Sequence, residues 1–258
     1  RACGHVLKCP HCDVSLSQHG SGAATRLVCH YCGYTTIQPG LCPVCGSKYI
    51  SGFKAGTQKI EQVVKARFPQ ARVLRMDMDT TRTKDGYEQI LSAFSNHEAD
   101  ILIGTQMIVK GHDFPGVTLV GVLAADLSLY ISDYRASERT FQLLTQAAGR
   151  AGRGDIPGNV IIQTYDPDHY SITTAKEQNY EAFYGQEIEY RKMMRYPPVW
   201  NMLYILCASK NEAAASEAAV ALMGKIDQIV RENSEKIFSI GPSDAPVAKI
   251  SDVYRKVI

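Results

Sequence analysis

Residues 100–126 read DILIGTQMIVKGHDFPGVTLVGVLAAD. Two short apolar runs, 100–104 (DILIG) and 117–124 (VTLVGVLA), flank a polar turn. Each run is too short for a helix and too evenly apolar for a strand with one wet face, so both are expected as strands buried on both faces, as in parallel sheets. The polar turn then sits just past the carboxyl end of the first strand. Ligands of open parallel sheets bind at that edge, which makes Thr105, Gln106, Lys110, Gly111 and Asp113 candidate binding residues. The plain alternative is a strand-to-helix turn with Asp113 as its capping residue.

Working outward, the same alternation continues on both sides. Ile60, Val63, Val64 and Phe68 recur at helical spacing, Pro69 breaks the helix, and 71–76 (ARVLRM) reads as a strand. A helix is expected over about 85–94, another over about 137–149, and a strand at 159–164 (NVIIQT). Alternating helices and short apolar strands imply an α/β domain whose parallel sheet is covered on both faces. After Asp166-Pro167 comes a polar stretch dotted with aromatic residues, expected as one or two helices (180–194) and ended by Pro197-Pro198. A β-α-β piece follows: strand 202–208, helix 211–231 with Ala215, Ala219, Leu222, Ile226 and Ile229 on one face, and strand 237–240 before Gly241-Pro242. The expected organisation is a metal module at 1–52, the α/β lobe at 53–175, a helical linker at 176–200 and a partial α+β domain at 201–258.

The first segment has a different texture. Seven of the eight cysteines lie between Cys3 and Cys45, with few long aliphatic residues among them, while Cys207 sits alone in an apolar run as a small core residue. Such a stretch needs a staple, and this crowding points to metal ligation rather than a disulfide framework. Cys9-x2-Cys12, Cys29-x2-Cys32 and Cys42-x2-Cys45 are three knuckles. Four thiolates satisfy one tetrahedral Zn²⁺, so Cys9, Cys12, Cys29 and Cys32 make the most economical first site. Cys42 and Cys45 need a partner pair, of which Cys3 is one member; a cysteine just ahead of Arg1 would complete a fourth knuckle. The second site is therefore expected to hold three protein ligands here, with a water, a buffer ion or His5 in the fourth position.

One further pattern lies at the end of the 137–149 helix, where 142–153 reads QLLTQAAGRAGR. Arg150 and Arg153, expected on one helix turn with small residues between them, could reach one polyphosphate together. The guanidinium fork stays charged and binds phosphate oxygens in pairs. On spacing alone, such a pair is more often a solvated face. Its presence beside the polar strand exit, in one small α/β domain, is what gives it weight.

These residues carry a specific resemblance. GTQMIVKGHDFPGVTLVGVLAAD (104–126) is similar to motif V, and QLLTQAAGRAGR to motif VI, of superfamily 2 helicases. With the preceding zinc module, GTQKIEQ at 56–62 and RYPP at 195–198, essentially the whole chain resembles the replication-restart helicases of that superfamily. The resemblance implies a RecA-like second helicase lobe carrying a zinc-ribbon-like module, followed by part of a C-terminal domain. It implies that Arg150 and Arg153 face the ATP phosphates, that Gln146 orients within that site, and that Gly111 and Asp113 lie near the nucleotide and the DNA. Thr105 and Gln106, with Lys110, would lie beside the DNA backbone. It further implies ATP and Mg²⁺ as cofactors beside two Zn²⁺, and 3′-to-5′ unwinding at stalled or branched forks. Primosome proteins and single-stranded DNA-binding protein would be partners of a monomer in the bacterial cytoplasm, at the nucleoid. Neither G-x-x-x-x-G-K-[ST] nor D-E-x-H occurs in the sequence, so the phosphate cradle and the Mg²⁺ carboxylate are expected in a first lobe ahead of Arg1, and this chain alone is expected not to turn over ATP. Two other readings are a non-catalytic zinc-ribbon adaptor and an α/β nucleotide-binding protein without turnover; neither explains why both motifs occur at this spacing beside a zinc module.

Composition fits all three readings. At 258 residues, 45% hydrophobic and 21% charged, the chain has material for one large or two small cores, which excludes a disordered or fibrous protein. No apolar run approaches the ~18 residues of a membrane span. There is neither a signal-peptide core nor an initiator Met, so the chain is expected to be soluble and cut from something longer at both ends. A net charge of +2 is too near neutral to establish a polyanionic partner.

Overall fold

With few long aliphatic residues to bury, the beginning of the chain folds around cysteine turns. The computed structural model describes residues 3, 5–19, 25–48, 56–81, 85–109, 114–154, 156–233 and 237–258. Ser17–His19 (β1), Arg26–Val28 (β2) and Thr35–Ile37 (β3) form an antiparallel meander in which Leu27 stands opposite both Gln18 and Thr36. Leu27 is the buried apolar residue of these strands, whereas Ile37 is exposed. Internal contacts divide the chain into two units, residues 1–53 with 203–258, and residues 54–202.

The second unit begins with Thr57–Arg67 (α1), Val73–Met76 (β4), Gly86–Ser95 (α2) and Ile101–Gly104 (β5), followed by a 3₁₀ turn at Gln106–Val109. It continues with Leu119–Val122 (β6), a 3₁₀ turn at Ala125–Ser128, Ala136–Ala148 (α3), Asn159–Ile162 (β7), Tyr170–Lys176 (α4) and Tyr180–Met194 (α5). Both strand pairs are parallel: Val73 lies opposite Ile101 in β4-β5, and Leu119 opposite Asn159 in β6-β7. The expected run at 117–124 forms a strand only over Leu119–Val122. Its first residue is drawn into turns, with Val117 N–H bonded to Phe114 O and Val117 O accepting from Gly152 N–H. At the other end Ala124, at φ 53, leaves the extended region.

Helix α3 is the spine of the core. Its buried positions Ala136, Thr140, Phe141, Leu144 and Ala147 fall at helical spacing on one face. Against that face pack Ile172 and Ala175 of α4 and Phe183 of α5, with Phe141 and Phe183 stacked at 4.2 Å between ring centroids. Asn179 caps α5 by accepting from Ala182 N–H at 3.0 Å. Two helices occupy the stretch after Asp166-Pro167, and both are packed into this unit.

The rest of the first unit is a split β-α-β. Leu206–Ser209 (β8), Glu212–Asn233 (α6), Ser243–Ile250 (β9) and Val253–Val257 (β10) give a sheet of order β8-β10-β9, all antiparallel. Ala215 and Ala219, both buried, let α6 lie close to the sheet. The strand expected at 237–240 does not form there. Ile237, Phe238 and Ile240 are exposed, Gly241 at φ 117 breaks the extended run, and the ladder starts beyond it with Ser243 opposite Val257. β9 (SDAPVAKI) contains Pro246, a residue that disfavours a strand reading but is tolerated at the edge position β9 takes. Cys207 on β8 is half-buried opposite Lys256.

Candidate functional site

The first cysteine group is built from local turns that gather four sulfurs. Cys9, Cys12, Cys29 and Cys32 place every Sγ within 4.8 Å of the others, and Cys9 Sγ lies 3.6 Å from Cys32 Sγ. A tetrahedral Zn²⁺ with bonds of about 2.3 Å puts its sulfurs about 3.8 Å apart, so the spacing fits. At the second knuckle Cys29 N–H donates to Tyr34 O at 2.8 Å, and Gly33, at φ 77, returns its N–H to Cys29 O. The third knuckle repeats the pattern with Cys42 N–H to Ser47 O and Gly46, at φ 68, to Cys42 O. Burial pushes the Cys9 and Cys12 thiols up. For Cys29, burial works the same way but is outweighed by the N–H groups of Cys32 and Tyr31, which bring the thiol down to about 7. An all-sulfur, largely buried, tetrahedral donor set suits Zn²⁺.

Cys3, Cys42 and Cys45 form a second group, also within 4.8 Å, with Cys3 Sγ 3.7 Å from Cys42 Sγ. It is more open, since Cys3 and Cys45 are exposed. His5, considered for the fourth position, is not part of this group among the described residues. The N–H groups of Cys45 and Val44 draw the Cys42 thiol down to about 7.

In the lobe, Thr105 and Gln106 are exposed immediately after β5, Gln106 opening the 3₁₀ turn against which α3 packs. Lys110, Gly111 and Asp113 lie outside the described residues. Gln146 is exposed on the last turn of α3. Arg150 and Arg153 do not share a helix turn as expected. The helix ends at Ala148, capped by Gly149, and both arginines fall in the turn beyond it. Arg153 curls back to donate from Nε to Gly149 O at 2.6 Å.

Backbone packing fixes that turn. Gly152, at φ 73, donates to Val117 O at 3.0 Å, and a Cβ at Gly152 would stand 2.6 Å from Gly158 N. A Cβ at Gly158 would stand 2.2 Å from Gly152 N, and one at Gly154 would meet Pro115 O at 2.6 Å. The residues leading into β6 and the arginine turn are therefore one packed neighbourhood, in which side-chain-free positions let main chain touch main chain.

Two buried carboxylates at strand exits, Asp77 and Asp126, lie outside the candidate site residues named from sequence. Asp77, after β4, accepts from Thr57 Oγ1 at 2.5 Å, Arg75 Nη1 at 2.9 Å and the N–H groups of Asp79 and Thr80 at 3.0 Å. Burial works to raise its carboxyl, but these donors, Thr57 foremost, hold it below the usual range. Asp126 accepts from the Thr164 hydroxyl and the N–H groups of Tyr165 and Asp166, tying the exit of β6 to that of β7, and Thr164 holds its carboxyl low. The signal available was an acidic residue directly after an apolar strand run. A third buried group, Arg191, donates to Glu187 at 2.7 Å, Glu138 at 2.6 Å and Pro197 O at 2.9 Å, joining α5 to α3.

Comparison with known proteins bears on both sites. Residues 48–155 match the helicase conserved C-terminal domain, and residues 9–36 match the PriA DNA helicase Cys-rich region (CRR) domain. Replication restart protein PriA of Bacillus subtilis (strain 168) is 49% identical over 256 residues, covering 99% of this chain and 31% of that protein. The protein of the same name from Synechocystis is 45% identical over 258 residues, 99% of this chain and 31% of its own length. The chain matches PriA proteins over nearly its whole length. It spans about a third of the length of the curated relatives it matches.

Along this PriA-like chain the two matched regions divide the candidate residues cleanly. The Cys-rich match takes in Cys9, Cys12, Cys29 and Cys32 and stops short of Cys42 and Cys45, while the helicase match ends two residues past Arg153. The matched part of the second unit is thus a RecA-like helicase lobe, and the module ahead of it binds Zn²⁺ through its cysteines. Among the described residues no helix is long and apolar enough to cross a membrane.

Proposed function

We propose that this chain is the second half of a motor: the second lobe, zinc module and part of the C-terminal domain of an ATP-dependent 3′-to-5′ DNA helicase that recognises stalled or branched forks and promotes primosome assembly and replication restart. The observation that carries the reading is the turn bearing Arg150 and Arg153, locked by main-chain contacts to Pro115 and Val117 in a lobe of helicase type. A rigid turn presenting two guanidiniums suits stabilisation of charge on a departing γ-phosphate.

In this reading Arg150 and Arg153 face the ATP phosphates, Gln146 orients within the site, and Gly111 and Asp113 lie near the nucleotide. Thr105, Gln106 and Lys110 track the DNA backbone, so that strand position and arginine position are coupled through the packed stretch between them. ATP and Mg²⁺ are held jointly with a phosphate-binding lobe of the complete protein. One Zn²⁺ sits on Cys9, Cys12, Cys29 and Cys32, and a second on Cys3, Cys42 and Cys45. Primosome proteins and single-stranded DNA-binding protein are the protein partners of a monomer working at the bacterial nucleoid. The names of the relatives, which concern replication restart, support the biological setting.

The test is ATP hydrolysis by the complete protein, with and without forked DNA, beside Arg153→Ala. Fork-stimulated turnover that falls by about a thousand-fold or more in the variant is expected for a transition-state arginine. Turnover indifferent to fork and to Arg153 would favour the zinc-ribbon adaptor instead.

A further inference from the structure

The first zinc knuckle is bonded to a hairpin at the far end of the chain. Ser251 donates its backbone N–H to Cys12 Sγ at 3.2 Å, across 239 positions of sequence. Asp252 N–H donates to His11 O at 2.9 Å, and Asp13 N–H to Lys249 O at 2.8 Å. Lys249 Nζ reaches Pro10 O at 2.9 Å, and His11 Nδ1 lies 2.7 Å from Asp252 Oδ2. Ile250 packs against the buried sulfurs. The turn takes this shape because Ser251 and Asp252, between the paired Ile250 and Val253, both have positive φ, 50 and 61. That is the type I′ geometry of two-residue hairpins, here plugged into the knuckle.

We infer that the β9–β10 turn is an outer-shell part of the first zinc site, so that the C-terminal sheet and the metal stabilise one another. Four thiolates leave a Zn²⁺ site net negative, and an amide donated to a ligating sulfur offsets part of that charge. Ser251 supplies such an amide to Cys12. Asp252 is a positioning residue: through His11 it fixes the chain between Cys9 and Cys12. Coupling of this kind is reciprocal. Whatever the docked turn adds to zinc affinity, bound zinc adds to the order of the turn. Loss of this zinc therefore loosens β9 and β10, which contribute no ligand, as well as the module itself.

The experiment uses the whole chain with Cys45→Ser, so that the zinc read comes from the first site. Release to a chromogenic chelator is timed for this background and for two further substitutions on it. Asp252→Gly keeps a residue at ease at positive φ and removes only the carboxylate; His11→Ala removes its partner without touching the hairpin. Each is expected to speed release about ten-fold, the lower end for lost outer-shell partners. In the unsubstituted chain, chelation is expected to raise amide exchange of Ser251, Asp252 and Val253 by at least about ten-fold while α3 and α5 are unchanged, a readout that does not depend on how any variant folds. Release within two-fold of background in both variants, or hairpin amides indifferent to chelation, overturns the inference. Zinc content near zero by elemental analysis overturns the metal assignment and the inference with it.

Discussion

In the Cys-rich module the largest fully buried side chains are Cys12 and Cys29; in the lobe they are Met76, Thr140 and Ser171, with Phe141, Leu144 and Phe183 close behind. The module places Ile37 and Val44 in solvent and takes its order from sulfur geometry, whereas the lobe stacks Phe141 on Phe183 and takes its order from apolar contact. The difference teaches that one chain can hold two stabilities with different controls, one set by metal and thiol chemistry, the other by burial and packing.

The widest gap between the two should open on metal removal. A chelator under reducing conditions is expected to withdraw a stabilisation on the order of 10 kcal/mol from the module, seen as loss of amide protection over β2 and β3, while the thermal transition of α3 to α5 stays in place. A lobe that melted together with the module would break the comparison. The converse substitution, Phe183→Ala, is expected to cost the lobe about 3–5 kcal/mol in denaturant unfolding without changing zinc content.

Arg191 sharpens the lobe side. Arg191→Met leaves Glu187, itself buried, without its cation, and a loss of roughly 3 kcal/mol is expected; adding Glu187→Leu should restore much of it, measured as a double-mutant cycle. Gly152→Ala is expected to cost about 2 kcal/mol, since the residue must hold φ 73 with a backbone nitrogen 2.6 Å from the new Cβ. The smallest effect concerns pH. The Asp77 carboxyl is held below its ordinary value in the folded state, so its contribution is complete above the ordinary carboxylate range and is lost as pH falls through the lowered value. Asp77→Asn should therefore flatten the acid limb of lobe stability and leave the neutral-pH release of zinc untouched.

What sequence disclosed follows from the same contrast. Cysteine spacing announced the module because ligation demands specific residues at specific separations, and the four sulfurs of the first group meet as expected. The strands β5 and β7 and helix α3 were legible from their apolar runs and spacing, whereas α5, whose buried face is Phe183, Glu187 and Arg191, was marked by the Pro197-Pro198 stop behind it. The arginines' place beyond the helix was not, because it depends on Gly152 and Gly158 touching across six residues. Nor was the β9–β10 hairpin: Ser-Asp is a weaker turn signal than Asn-Gly, and Pro246 spoke against a strand. Asp126 closes the 100–126 stretch, but its role was not legible there, since its partners Thr164, Tyr165 and Asp166 lie about forty positions away.

The glycine contacts around the arginine turn also bear on how mutational maps of this lobe should be interpreted. In a saturation scan scored by growth, Gly152, Gly154 and Gly158 should be nearly as intolerant as Arg150 and Arg153, because any side chain there drives one stretch of main chain off another. Ranking positions by intolerance would then merge the arginines proposed to face phosphate with the scaffold that holds their turn, and only a second screen, for abundance of folded protein, would separate the two classes.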